Sequence, residues 1–270
     1  MRIVAFMIIR NEEACLPRCL EVLGEQGLTV AVIDNDSTDR TPDILESFSP
    51  HVVTHVEHAP FTGVFEWIAM LKQADRMRDG LEADWFHLNS PDEIMTSNRR
   101  GETLFELILR VDSEGYSAIN YDEFVFLPPN RDLQCEGQAF DDVIRHYYFF
   151  QPRPVRQIRS WKNITGITCV EGAGHRPTGQ PLTVYPESQA LRHYIALNAE
   201  EYRRKYGERE FNQDELDRGL HARRLHIDAN QFPLPDPADL KELSESDPSL
   251  LDRSDPWIQH FWEPEAEAAR

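Results

Sequence analysis

Asp84-Trp85-Phe86-His87-Leu88-Asn89-Ser90-Pro91-Asp92-Glu93-Ile94 joins a short strand, a break and a pair of acids. Trp85, Phe86 and Leu88 form the apolar run of a buried strand, and Asn89-Ser90-Pro91 ends it with a turn signal. Adjacent carboxylates at the carboxyl end of a strand in an open α/β sheet lie where such sheets bind ligands. With no nitrogen or sulfur ligand in the segment's turn, Asp92 and Glu93 suit a hard cation such as Mg²⁺ or Mn²⁺, which would neutralise phosphate. The competing reading makes them the first turn of a helix, where the dipole favours acids.

Toward the N-terminus the pattern repeats. Arg2 to Ile9 reads as a strand buried on both faces, and Pro17 opens a helix with Leu16, Leu20 and Leu23 on one side. Leu28 to Ile33 is a second strand, ending in Asp34-Asn35-Asp36-Ser37-Thr38-Asp39. Thr41-Pro42 reads as a cap followed by a proline at the first helical position. His51 to Val56 gives a third strand and Phe65 to Met77 a third helix, so the opening segment is the fourth strand. Alternation with short connections predicts an α/β fold: a doubly wound, mostly parallel sheet flanked by helices. Neither Gly-x-Gly-x-x-Gly nor the Gly-Lys phosphate loop follows a strand, which argues against a nicotinamide site or a P-loop.

Toward the C-terminus, Thr103 to Val111 reads as a helix. Ser117 to Leu127 reads as a strand with Asp122 and Glu123 at its centre, an expensive place for acids unless they line a site. A polar loop from Pro128 to Asp142 leads into His146-Tyr147-Tyr148-Phe149-Phe150, followed by Arg153, Arg156, Arg159 and Lys162. Basic groups beside aromatics suit contact with a diphosphate or an acceptor. Ile164 to Val170 is strand-like and precedes Glu171-Gly172-Ala173-Gly174-His175-Arg176. Helices are expected over Ala199 to Tyr206 and Asp214 to Arg223. From about Asn230 the chain is rich in proline and acid, and is expected to wrap the surface or stay partly disordered. This divides it into a domain over 1–228 and an extension over 229–270.

The 270 residues carry 28 Lys and Arg against 47 Asp and Glu, a net charge of −19 that excludes nucleic acid as the main partner. Cys15, Cys19, Cys135 and Cys169 show no zinc spacing. With no leader and no membrane-length apolar run, a reduced cytoplasmic protein is expected.

Four separated pieces resemble family 2 glycosyltransferases. Ile8-Ile9-Arg10-Asn11-Glu12-Glu13 is similar to their Lys-Asn-Glu opening, and Val32 through Thr41 to their Asp-Asp-x-Ser-x-Asp-x-Thr element. Asp84-Trp85 through Glu93-Ile94 is similar to the Asp-Trp…Asp-x-Asp-Glu-Ile segment. Leu191-Arg192-His193-Tyr194, with Lys205-Tyr206 beyond, is similar to the distal histidine segment. Gly172-Ala173-Gly174-His175-Arg176 also resembles a Gly-Gly-His element of bacterial members.

The resemblance implies a GT-A fold and a nucleotide-sugar donor. It further implies a divalent metal, Mn²⁺ or Mg²⁺, at the diphosphate, and a glycan or small-molecule acceptor, with a role in bacterial surface glycan synthesis. Ile9, Asn11 and Glu12 would border the base, and Asp34 or Asn35 would read it. Asp92 and His193 would hold the metal, with His175, Arg176 and Lys205 toward the donor. Candidate bases for deprotonating the acceptor are Asp122, Glu123 and Glu171. Ser90 stands where the family has its first aspartate; it can hydrogen-bond a ribose but adds no charge. A catalytically silent nucleotide- or glycan-binding relative is the alternative.

Overall fold

The computed structural model describes residues 1–263 apart from 136, 222, 223, 226, 229, 230 and 245–249. In chain order the first half runs β1 (Ile3–Ile9), α1 (Leu16–Glu25), β2 (Thr29–Asp34), α2 (Thr41–Phe48), β3 (Val53–His58), α3 (Trp67–Asp79), β4 (Trp85–Leu88) and β5 (Glu93–Thr96). The second half runs α4 (Leu104–Ser113), β6 (Ala118–Leu127), α5 (Phe140–Val143), β7 (His146–Phe150), β8 (Gln157–Lys162), β9 (Gln189–Tyr194) and α6 (Ala199–Tyr202). A π-helical turn over Arg203–Gly207, α7 (Gln213–Asp217) and β10 (Lys241–Glu242) complete it.

The strands form one sheet in the order β10-β7-β6-β8-β4-β1-β2-β3, with β9 joining β5 and β6 off this path. β4, β1, β2 and β3 are parallel neighbours, as βαβ crossovers require. β8 and β7 run antiparallel to β6, so the sheet is mixed. Helices cover both faces of the parallel half. Leu16 and Leu20 of α1, Ile44 of α2 and Leu107 of α4 pack on one side. Leu71, Ala74 and Met77 of α3 pack on the other. Burying each of these Leu, Ile and Met side chains stabilises the fold by about 1.5–3 kcal/mol.

Several local readings change. Asp92-Glu93 does not begin a helix: Glu93 opens β5 and lies opposite His193 of β9. Thr41 is the first residue of α2, with Arg40 at the cap position. Its hydroxyl accepts instead from the Glu12 backbone N–H at 2.8 Å. Ile164 to Val170 is a loop, although Ile167 and Cys169 are buried. The Asp75 carboxylate accepts from the Thr168 hydroxyl at 2.5 Å and from the Cys169 N–H at 3.2 Å, the latter a backbone donor that a strand would pair with a neighbour. The helix expected over Ala199 to Tyr206 changes after one turn to the wider π form. That expected to end at Arg223 closes at Asp217, and Arg223 itself lies outside the described residues, as does Asn230.

The described part of the C-terminal extension packs on the domain. Phe232 stacks on Tyr202 at 4.5 Å, β10 pairs with β7, and Trp257 exchanges backbone hydrogen bonds with Phe149 and Gln151. Among the described residues, no helix is long and apolar enough to cross a membrane.

Candidate functional site

The carboxyl ends of β1, β2 and β4 open into a cleft of about 910 Å³. Its near wall is the turn after β1. Asn11 there has φ 54°, a left-handed conformation that asparagine tolerates because its short amide can bond locally. Its Oδ1 accepts from the Thr38 N–H at 2.7 Å, and its own N–H donates to Ser37 Oγ at 2.9 Å. These bonds tie the turn after β1 to the turn after β2. Asn35 donates through Nδ2 to the carbonyls of Ala59 (3.1 Å) and Pro60 (3.2 Å), leaving its side-chain oxygen as an acceptor. Beside it the Arg10 guanidinium lies 3.6 Å over the Phe61 ring.

The floor is a chain of charged and polar groups. Lys205 Nζ donates to Asp92 Oδ2 at 3.1 Å. Asp92 Oδ2 lies 3.7 Å from His193 Nε2, and His193 Nδ1 lies 2.7 Å from Glu123 Oε1. Glu123 Oε2 accepts from Arg156 and, at 3.1 Å, from Gln157 Nε2. Because Gln157 donates through its amide nitrogen, its oxygen accepts from His175 Nδ1 at 3.1 Å. His175 Nε2 is then an acceptor while the ring is neutral.

The electrostatics follow from burial and these partners. Burial pulls the His193 pKa down, but Asp92 and Glu123 on its two nitrogens overcome this and raise it to about 10. His193 is therefore an imidazolium at neutral pH. Burial pushes Asp92 up, and Lys205 with His193 brings it well below the ordinary carboxylate range. Glu123 is likewise held low by Arg156 and His193 against burial. Burial and neighbouring arginines depress His175, keeping it neutral. Glu12, buried near two other carboxylates and opposed by Lys205, is raised to about 7.

Glu93 belongs to the support of the site. Its carboxylate accepts from Arg159 at 2.6 Å and from the Ser90 N–H at 3.0 Å, fixing the bend between β4 and β5.

Of the expected residues, the cleft brings together Ile9, Asn11, Glu12, Asn35, Ser90, Asp92, Glu123, His175, His193 and Lys205. Four are elsewhere. Asp34 is buried and turned onto the Ser37 hydroxyl at 2.5 Å. Arg176 is exposed beyond the glycine turn. Asp122 alternates with Glu123 along β6, so it points away from the cleft and pairs with Arg253 at 2.8 Å. Glu171 is exposed and accepts from Thr178 Oγ1 at 3.2 Å. Arg153, Arg156 and Arg159 line the cleft, whereas Lys162 is paired with Asp112 at 2.7 Å. Arg204, His260 and Trp262 line it without having been expected. His260 and Trp262 come from the C-terminal extension, which is expected to wrap the surface or stay partly disordered.

The expected ion at Asp92 and His193 meets a donor set that does not fit it. Asp92 Oδ2 already holds an ammonium, and both nitrogens of His193 face carboxylates. A second group, Glu12, Cys15 and Glu201, has ligand atoms all within 4.8 Å of one another. There too the Lys205 ammonium is close, at 3.6 Å from Glu12 and 3.3 Å from Glu201.

Comparison with known proteins gives three results. The family described as glycosyl transferase family 2 matches residues 4–60, from β1 through β3 to the loop beside Asn35. No curated protein matches the chain. Among solved structures, S. aureus TarS aligns at 12% identity over 84% of this chain and 42% of its own, with a TM-score of 0.43. S. aureus TarS 1-349 in complex with UDP aligns at 13% identity over 84% and 71%, TM-score 0.43. The same protein in complex with UDP-GlcNAc aligns at 12% over 83% and 72%, TM-score 0.41. The chain thus spans less than half the length of the first of these.

Proposed function

We propose that this chain, a family 2-like glycosyltransferase by the match over residues 4–60, transfers a sugar from a nucleoside diphosphate donor to an acceptor hydroxyl in the cleft. The observation that carries the reading is a local reversal of charge. Lys and Arg outnumber Asp and Glu along the cleft by eight to seven, against 28 to 47 in the whole chain. In an acidic protein, cationic side chains gathered in one cleft suit a dense anion such as a diphosphate.

The base lies against Asn11 and Asn35, whose tied amide offers an oxygen to a ring N–H. The diphosphate lies toward Lys205, His193 and Arg156. As the sugar leaves, negative charge grows on the diphosphate, and cations already fixed there stabilise it without reorganising. Glu123 is a positioning residue: it orients His193 and keeps it protonated. Its depressed pKa makes it a poor proton acceptor. His175 Nε2, at the far end of the hydrogen-bond chain, would accept a hydrogen bond that orients the incoming hydroxyl; its own depressed pKa makes it a positioning group rather than a strong base.

The acceptor belongs to a glycan of the bacterial surface, a reading that rests on the family resemblance. Ser90, neutral beside Asp92, favours as second reading a relative that binds the donor without turnover.

Incubation with UDP-, GDP- and dTDP-sugars, with release of the nucleoside diphosphate followed by chromatography, tests the reaction. Release from one donor that is faster than the buffer blank and lost in His193→Ala supports it. Binding of a donor without release supports the second reading.

A further inference from the structure

We propose that the Lys205 ammonium occupies the place of a divalent cation at Asp92, so that donor binding needs no metal ion. This rests on the donor reading above and deepens it.

Lys205 Nζ has three carboxylate oxygens around it: Asp92 at 3.1 Å, Glu201 at 3.3 Å and Glu12 at 3.6 Å. An ammonium is a compact point charge with three donors, and this shell of oxygens is what a hard cation would otherwise gather. The side chain is only 5% exposed, yet it reaches the cleft. A buried ammonium is kept by paired carboxylates, so Lys205 and the three acids form one unit.

The backbone puts it there. After α6 the helix widens over Arg203–Gly207, and the Glu208 N–H bonds back to the Arg203 carbonyl five residues earlier at 3.0 Å. Such single π turns redirect a side chain and recur at functional sites. His193 Nε2 lies 3.7 Å from the same oxygen, Asp92 Oδ2. An ion entering at Oδ2 would have to displace one of these two side chains. Ser90, which lines the cleft two residues before Asp92, adds no carboxylate to hold it.

Calorimetric titrations of UDP, dTDP, GDP, CDP and ADP into the full chain, in EDTA and in excess Mn²⁺, test this. The expected result is one nucleotide bound with affinities within about threefold in the two buffers. Lys205→Met should weaken binding in EDTA by about tenfold or more. Mn²⁺ titrated alone should give no heat with the wild type. If Lys205→Met fails to fold, the wild-type titrations still decide. Binding that appears only with Mn²⁺, or Mn²⁺ bound by the unliganded wild type, overturns the inference and leaves the donor reading in place. No nucleotide bound in either buffer overturns the donor reading, and this inference with it.

Discussion

His193 of β9 places Nδ1 2.7 Å from Glu123 Oε1 of the adjacent strand β6, with Asp92 Oδ2 3.7 Å from its other nitrogen. One imidazole thus joins the expected distal histidine, the acid in the middle of a strand and the acid beyond the turn. Each is unusual in sequence for the same reason: each is a charge that only the other charges make tolerable in a buried position.

That pairing makes the His193 charge a part of the fold's pH dependence. Its pKa rises from 6.5 to about 10, so its contribution is complete below about pH 6.5 and is lost as pH rises through 10. Melting temperatures of the wild type should fall over this interval more than those of His193→Gln. Nitrogen NMR should find the ring doubly protonated at pH 8 in the wild type, and at lower pH only in Glu123→Gln. A wild-type ring that titrates near 6.5 would contradict the pairing.

Asp122 and Glu123 are neighbours in sequence with opposite expected phenotypes. Glu123→Gln leaves Arg156 and His193 short of their shared carboxylate, and should destabilise the protein by about 3 kcal/mol and weaken nucleotide binding. Asp122→Asn and Glu171→Gln should keep nucleotide affinity within about twofold, because neither group reaches the cleft. Urea denaturation and calorimetry on the three variants separate these outcomes. Equal loss of affinity in Asp122→Asn would mean that the wrong face of β6 has been assigned to the site.

The glycine turn before His175 should be intolerant in a graded way. Gly174 has φ +80°, and a Cβ there would meet the Trp67 ring at 3.0 Å. Gly174→Ala is expected to destabilise by about 1–2 kcal/mol for the left-handed conformation alone. A Cβ on Gly172 would lie 1.9 Å from the Arg176 carbonyl oxygen, so Gly172→Ala must move backbone and should be worse. Urea midpoints in the reverse order would contradict the turn as described.

The parallel half was readable because buried parallel strands are apolar on both faces and their helices carry apolar stripes, as at Leu16, Leu20 and Leu23. Glu123 was recognisable because an acid inside an apolar strand asks for a partner, although composition does not say which of two adjacent acids faces the cleft. Ile164 to Val170 differs because burial and strand pairing are separate properties: Asp75 takes the Cys169 N–H, Thr178 pairs with Thr168, and Arg78 donates to the Ile167 carbonyl. The aromatic spacing of Trp257, Phe261 and Trp262 suggests packing back on the domain, but not that His260 and Trp262 line the cleft, where His260 stacks on Phe150 at 3.8 Å and Trp262 on His260 at 4.3 Å. The register that seats this segment against β7 leaves no local signature.

Ser90→Asp tests the balance of charge beside Asp92. With Lys205 and His193 as the resident cations, a further carboxylate opposes the diphosphate, so nucleotide affinity in EDTA should fall by about tenfold. Added Mn²⁺ should restore part of it, since with two carboxylates there the ion competes better with the Lys205 ammonium for them. Tighter binding in EDTA would show that the cleft carries more uncompensated positive charge than these pairs indicate.

Thermal unfolding of the wild type with each of UDP, GDP, dTDP, CDP and ADP tests the donor assignment most directly. A ligand at about a hundred times its dissociation constant stabilises the native state by roughly 2.7 kcal/mol. For a chain of this size that raises the midpoint by about 5–10 °C. The expected result is such a shift for at least one nucleotide, with or without Mn²⁺, and its loss in Arg156→Ala and Lys205→Met. Midpoints unmoved by all five nucleotides in both buffers would contradict a nucleoside diphosphate site in this cleft.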